Sequence, residues 1–285
     1  MGGSVTLAPM SLQPRQKSSS IALDAERIKS CVSVQAPDVI DVLQKTASTN
    51  SYLLERPIFR QRAQVCLAEA QTAGRGRHGN QWVSTPNRNI MLSLSWGFHG
   101  WPNDVAALRL AVGLGITMML NDEFDIDATI KWPNDILVND AKLAGILIDV
   151  AGHSKSDCQV VVGVGLNVDQ ADWDDGLEYL WCDLRGLGVV VDRNVLVAKL
   201  IDVVVLVLRN FESNGFASMV TSWNKLSAFT GRKVQVIQSS ESVVGFMVGV
   251  ETDGALLIKD SEGQCHRVSD SRASLRVISD DEAIS

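Results

Sequence analysis

The sequence predicts an α+β fold, with a mixed β-sheet packed with helices over residues 38–230 and a small all-β domain over residues 231–285. Three observations carry this reading. Ahead of Gly231, segments with apolar residues at every second position alternate with segments of helical spacing. After Gly231 the helical spacing stops, and short apolar runs follow one another between Asp-Gly and Glu-Gly turns. Finally, 285 residues with 46% hydrophobic and 21% charged content are enough to bury the core of one large domain or of two unequal ones.

The elements follow in order. Residues 1–37 read as a tail, unstructured to about residue 35. Residues 1–23 carry no acid, several serines, Arg15 and Lys17, which fits disorder; an organellar transit peptide would carry more arginine. DVIDVLQKTASTNSYLLER (38–56) predicts a short strand, then a helix capped by Ser48 or Thr49. QVCLAEA (64–70) is a buried strand. In NIMLSLSW (89–96), Ile90, Leu92, Leu94 and Trp96 alternate with Met91 and two serines, the period of a strand. Asp104 is placed to cap the helix VAALRLAVGLGITMMLNDEF, whose interior glycines point to close packing. Strands are expected at 129–138, 142–150 and 158–168, and helices at 193–213 and 215–228. The first of these helices is valine-rich enough to read as a strand as well. No stretch spans a membrane: the most apolar one, 195–211, is interrupted by Lys199 and Asp202.

Charge and cysteines bound the function. A net charge of −7 argues against a general nucleic-acid binder. Five scattered cysteines without CxxC or Cys/His spacing read as reduced thiols of a cytoplasmic protein rather than a metal site or disulfide frame.

The chemistry begins at AGRGRHG (73–79), which has the G-x-G-x-x-G spacing of a dinucleotide fingerprint. That fingerprint needs a helix to open on the pyrophosphate and an acid some way downstream. Here the turn leads through NQWVSTPNRN into a strand, and no acid occurs between Glu69 and Asp104. The segment instead carries Arg75, Arg77 and Arg88. Exposed backbone N–H groups with guanidinium forks suit a polyanion held side-on. A second landmark, KWPNDILVNDAKLAGIL (131–147), brackets a Trp-Pro-Asn turn with Lys131, Asp135 and Lys142, and Gly145 allows close approach. A salt-bridged hairpin around a packed tryptophan is the bland explanation of the same residues.

Taken in order, GRGRHG (74–79), KWPNDILVNDAKLAGIL and GVGLNV (163–168) resemble the motif set of the biotin–protein ligases, the biotin–[acetyl-CoA-carboxylase] ligase family that includes the bacterial bifunctional ligase-repressor. The similarity runs from about Asp38 to the C-terminus and includes GALLIKD (254–260). It implies a biotin/lipoate ligase-like catalytic domain with an SH3-like β-barrel behind it. It also implies a two-step reaction, in which biotin and MgATP give biotinoyl-5′-AMP and a lysine of a biotin carboxyl carrier domain then takes the acyl group.

The resemblance assigns biotin contacts to Ser48, Thr49, Asn50, Gln71, Gly74, Arg75, Trp82, Lys142 and Gly145. ATP contacts fall to Arg75, Arg77, Lys131, Asp135, Asn167 and Trp181, the last as the adenine-stacking side chain. Lys142, Arg75 and Asp135 are the expected catalytic residues; Asp135 positions either Mg²⁺ or the incoming lysine. Hydroxyl and amide side chains suit the ureido ring, which offers two N–H donors and a carbonyl. Asn80 stands where the family often has a further basic residue, so one phosphate contact is expected to be missing. A DNA-binding winged helix needs more chain than the polar residues 1–37 supply, so no DNA partner is expected. A homodimer is compatible with the resemblance. Arg267, Arg272 and Arg276 could meet an acidic carrier or simply be solvated. The rival readings are a lipoate or octanoate ligase of the same fold, whose loop would read R-R-x-S-G-G-G, and a non-catalytic biotin or nucleotide sensor.

Overall fold

The computed structural model describes residues 21–35, 37–56, 63–99, 105–153, 157–170, 180–238, 242–269 and 272–278. Strands β1 (Val39–Leu43), β2 (Gln64–Ala68), β3 (Ile90–His99), β4 (Thr129–Lys131), β5 (Asp135–Val138), β6 (Ala141–His153) and β7 (Asp157–Leu166) form one sheet. Its order is β1-β2-β3-β7-β6-β5-β4. Only the β1–β2 pair is parallel; the other neighbours are antiparallel. The alternation read in 89–96 becomes β3, the strand that joins the β1–β2 pair to the β6–β7 hairpin. The expected strand at 129–138 is two strands divided by the Trp-Pro-Asn turn, with a cis bond at Trp132-Pro133.

Helix α2 (Thr49–Leu54) starts where the sequence places it: the Ser48 side chain accepts from Ser51 N. Helix α3 (Val105–Phe124) is apolar on nearly every side because it lies between the sheet and α4 (Arg193–Asn214). Its glycines mark the contacts. A Cβ at Gly113 would meet Ile146 and Ile130 of the sheet, and one at Gly115 would stand 2.6 Å from Val207 of α4. The Asp104 cap lies outside the described residues. The valine-rich segment is helix α4. Asp192 caps it by accepting from Asn194 N, and Leu196, Leu200, Val204, Leu208 and Phe211 share its buried face. Each such side chain contributes roughly 1.5–3 kcal/mol by leaving water, which overrides weak local propensity. The helix expected at 215–228 is shorter, a single turn at Ala217–Met219 followed by α5 (Val220–Leu226).

One expectation is corrected. Within the segment expected to be unstructured to about residue 35, Ala25–Cys31 forms helix α1, capped by Asp24. Tertiary contacts hold it. Arg193 Nη2 donates to Ile21 O (2.9 Å), Leu23 N to Glu69 Oε1 (2.8 Å), and Asp24 N to Asn194 Oδ1 (2.8 Å). Seven residues are too few to hold a helix alone. The rest of the expected tail, residues 1–20, lies outside the described residues.

Beyond α5, strands β8 (Lys233–Ile237), β9 (Ser242–Val250), β10 (Leu256–Lys259), β11 (Cys265–Val268) and β12 (Ser274–Val277) form an antiparallel sheet in the order β11-β10-β9-β8-β12. This is consistent with the expected SH3-like barrel. Trp132 Nε1 donates to Gly254 O (3.1 Å), tying this sheet's β9–β10 turn to the Trp-Pro-Asn turn of the first sheet. Among the described residues, no helix is long and apolar enough to cross a membrane.

Candidate functional site

The end of β2 and the residues after it build one wall of a cleft of about 530 Å³. Backbone bonds from Thr72 N to Thr46 O and from Ala73 N to Ala47 O (both 2.9 Å) hold the base of the glycine-arginine loop against the start of α2. Gln71 completes this link, its Oε1 accepting from Thr49 N at 2.8 Å and lying 3.3 Å from Thr49 Oγ1. Ser93 of β3 sits 2.7 Å from Thr49 Oγ1 and donates to Asn50 Oδ1. Asn50 Nδ2 in turn donates to Asp149 of β6 at 2.9 Å. The hydroxyl and amide groups of one wall are thus fixed before any ligand enters.

Glycines make the floor. A Cβ at Gly163 would lie 2.3 Å from Asn50 Oδ1, one at Gly165 2.4 Å from the Trp82 ring, and one at Gly145 3.2 Å from both Lys142 Cε and Trp82. Gly163 and Gly165 on β7 and Gly145 on β6 share one face by strand period, with Gly145 and Gly165 directly paired. That face is bare of side chains so that others can lie across it.

The cations converge from several directions. Arg75 grips Asp149 with both terminal nitrogens, at 3.0 and 3.2 Å. Arg77 donates to Asn134 Oδ1 (2.8 Å) in the Trp-Pro-Asn turn and to Ala273 O (3.3 Å) just ahead of β12. The loop is therefore braced across the cleft, and its two arginines engage protein acceptors. Lys142 Nζ lies 2.7 Å from Asp135 Oδ1. It also stands 5.6 Å from the ring centroid of Trp82 and 5.4 Å from that of Trp181, while the two indoles meet edge to face at 5.6 Å. Lys131 faces the Phe229 ring at 5.9 Å. Burial, then repulsion from Lys142 and Arg77, lowers the Lys131 ammonium below the ordinary lysine pKa; Asp135 opposes the shift.

Ser48, Thr49, Asn50, Gln71, Arg75, Arg77, Trp82, Lys131, Asp135, Lys142, Gly145 and Trp181 all line this cleft. Two of the expected residues do not. Gly74 lies behind Trp82, where a Cβ would stand 2.6 Å from Trp82 O. Asn167 is buried, its Nδ2 donating to Lys142 O (3.3 Å) and Cys182 O (3.1 Å), so it holds the backbone that presents Lys142 and Trp181. The sequence reading missed Ser93, Asn134, Asp149 and Phe229. Asp149 was within reach of it, since strand period puts residue 149 on the face of Gly145.

The cleft has features of a ligand site. The indole N–H groups of Trp82 and Trp181 are buried with no hydrogen-bond partner among the described residues. No cluster of three His, Cys, Asp or Glu side chains able to hold a metal occurs among those residues. A Mg²⁺ ion here would depend on oxygens a ligand brings, with Asp135 and Asp140 as the carboxylates that line the cleft.

The chain is similar to known proteins in sequence and in fold. Residues 42–167 match the biotin/lipoate A/B protein ligase family. The chain is 35% identical over 238 residues to the bifunctional ligase/repressor BirA of Salmonella typhimurium, spanning 83% of this chain and 73% of that one. It is 32% identical to the biotin–[acetyl-CoA-carboxylase] ligase of Mycobacterium tuberculosis, over 77% of this chain and 82% of the other. The fold superposes with a TM-score of 0.74 on a biotin protein ligase from Aquifex aeolicus in complex with biotin and ATP, at 24% identity, covering 85% of this chain and all of that one.

Proposed function

The chain belongs to the biotin/lipoate A/B protein ligase family, and on that premise we propose that it is an ATP-dependent biotin–protein ligase. In the first half-reaction the biotin carboxylate attacks the α-phosphorus of ATP, forming biotinoyl-5′-AMP and releasing pyrophosphate. In the second, the uncharged ε-amine of a lysine on a biotin carboxyl carrier domain attacks the acyl carbon, and AMP leaves as the amide forms. The free cysteines suit a cytoplasmic enzyme.

The observation that carries this reading is the placement of Lys142, an ammonium held by Asp135 and flanked by two indoles over a glycine floor. From there it can pair with the biotin carboxylate and then with the acyl oxygen as negative charge grows on it. Asp135 fixes the ammonium, and the same carboxylate would meet Mg²⁺ or the incoming amine. Lys131 and Arg77 supply positive charge for the phosphates, and Trp181 offers the adenine a face. Ser48, Thr49, Asn50 and Gln71 form the polar end that the ureido ring requires. Arg75, through Asp149, keeps the loop in register with that end.

Biotin-dependent ATP–pyrophosphate exchange tests the first half-reaction, and intact mass of a carrier domain after incubation with MgATP and biotin tests the second. A mass gain of one biotinoyl group is expected, and Lys142→Met should abolish both signals. Absence of exchange in the wild type would refute the reading in favour of a sensor. Thermal stabilisation by lipoate but not biotin would point to the sister activity of the family.

A further inference from the structure

Trp181 lies outside the strands of the first sheet. Its stretch of chain meets that sheet at an isolated bridge to Lys142, where Lys142 N donates to Leu180 O (2.8 Å) and Cys182 N to Lys142 O (3.0 Å). A ring carried on a stretch pinned at one point can tilt, so its orientation depends on what holds the chain on the far side. That far side is a buried polar cluster which neither half-reaction uses. Asp183 is buried and places one carboxylate oxygen on Gly186 N and the other on Gln170 N, the latter at 3.0 Å. Gln170 is itself gripped, its Oε1 accepting from Thr85 N (3.1 Å) and from Asn89 Nδ2. Asn89 Oδ1 in turn accepts from Val168 N at 2.9 Å. Three separate parts of the chain thus meet through Asn89, Gln170 and Asp183, none of which lines the cleft. At the partly exposed end of the cluster, Asp169 lies between Arg88 (3.4 Å) and Arg185 (3.6 Å).

A turn cap is the plainer account of Asp183. Serine, asparagine and aspartate all cap a turn with one side-chain oxygen on a backbone N–H two or three residues ahead. The bond to Gly186 N is of that kind and stays within the turn at 184–188. A cap needs one oxygen only. The second reaches 13 residues back along the chain and fastens the Trp181 stretch to the segment that leaves β7. The buried Gln170 N–H finds its partner there, in a bond strengthened by the charge of the acceptor.

We infer that Asp183 is a positioning residue for the nucleotide: backed by Gln170 and Asn89, it sets how the Trp181 ring stands across the cleft, without touching a ligand. The inference rests on the ligase reading above and on adenine stacking against Trp181. Lys142 takes its own place from β6, where it pairs with Leu137 of β5. Loss of the Asp183 bond therefore falls on the indole and not on the ammonium. The result is a split in which ATP binding depends on Asp183 and biotin binding does not.

Asp183→Ser separates the two roles, because serine can still cap the turn but cannot reach Gln170 as well. In the full chain at saturating biotin, it is expected to raise KM for ATP about tenfold in ATP–pyrophosphate exchange, the loss of one bond to a charged acceptor. The Kd for biotin alone, read by titration calorimetry without nucleotide, should stay within about twofold. In a Trp181→Ala background the same substitution should no longer move KM for ATP, since the ring it positions is gone. Asp183→Asn keeps the shape but sets an N–H against one of the two backbone donors. It is expected to act in the same direction, and it carries the test if the serine variant does not fold. Equal weakening of ATP and biotin, an unmoved KM for ATP, or an effect that persists without the Trp181 ring would each overturn the inference. Trp181→Ala that alone leaves KM for ATP unchanged would remove the stacking reading, and a wild type without exchange would refute the ligase reading. Either result takes this inference with it.

Discussion

Replacing Glu69 by glutamine perturbs the junction between the N-terminal segment and the glycine-arginine loop. Glu69 and Arg193 are both almost fully buried and meet in two bonds, Nη1 to Oε2 at 2.7 Å and Nη2 to Oε1 at 3.1 Å. Arg193 further donates to Ile21 O and Asn89 O, and Glu69 Oε1 accepts from Leu23 N. Glu69→Gln keeps the shape but leaves the Arg193 charge buried without its counter-ion. Breaking a buried pair from one side costs about 3–5 kcal/mol, far more than the pair contributes over an apolar replacement. For a chain of this size the lower figure lowers Tm by roughly 6–12 °C. Differential scanning calorimetry measures this directly, and the double variant Glu69→Gln, Arg193→Met should recover part of the loss because no lone charge remains. A Tm drop of only a degree or two in Glu69→Gln, with no coupling to Arg193, would refute the reasoning.

Other outcomes are expected. Burial, aided by Lys142, lowers the Lys131 pKa, and phosphate beside it would raise that pKa again, so nucleotide binding in the alkaline range below the ordinary lysine pKa should take up protons and weaken as pH rises. Titration calorimetry in two buffers of different ionisation enthalpy reads the uptake, which Lys131→Met should abolish. Arg77→Gly removes the bonds to Asn134 and Ala273 O, each charge-assisted bond being worth about 1.5–3 kcal/mol before discount for exposure. Biotinoyl-AMP should then escape and label bystander lysines, and an unchanged preference for the carrier would remove that role from Arg77. Iodoacetamide under native conditions should modify the exposed Cys31 and Cys265. It should spare Cys66, which burial pushes up to about 12, and Cys182, pushed up to about 11. Peptide mapping that found Cys66 labelled first would contradict the packing.

What the sequence made legible follows physical locality. The β3 alternation, the Ser48 cap and the turn chemistry after Gly231 are set by neighbours in the chain, and they could be read there. Helix α4 was ambiguous because valine fits both states; the Asp192 cap and a buried face spaced three and four residues apart decide it. Helix α1 was illegible because its stabilising partners, Glu69, Asn194 and Asp202, lie far along the chain. The same distance explains the site. Motif residues such as Lys142 and Trp82 announce themselves, but Ser93 and Asp149 are ordinary strand residues until the sheet sets them beside Asn50 and Arg75. Asn167 stood inside a motif, yet only its bonds to the Lys142 and Cys182 carbonyls show that it works from behind the cleft.

The three bare positions on the adjoining strands have a consequence for selectivity. Because Gly145, Gly163 and Gly165 form the bottom of the cavity, its depth is defined by atoms that are missing, and one methyl group at any of them would have to displace Trp82, Lys142 or Asn50. Variation at these sites would act as a ruler, trading headroom for shorter or slimmer ligands: at Gly165 against the Trp82 ring, and at Gly163 and Gly145 against the hydrogen bonds of Asn50 and the ion pair of Lys142 as well.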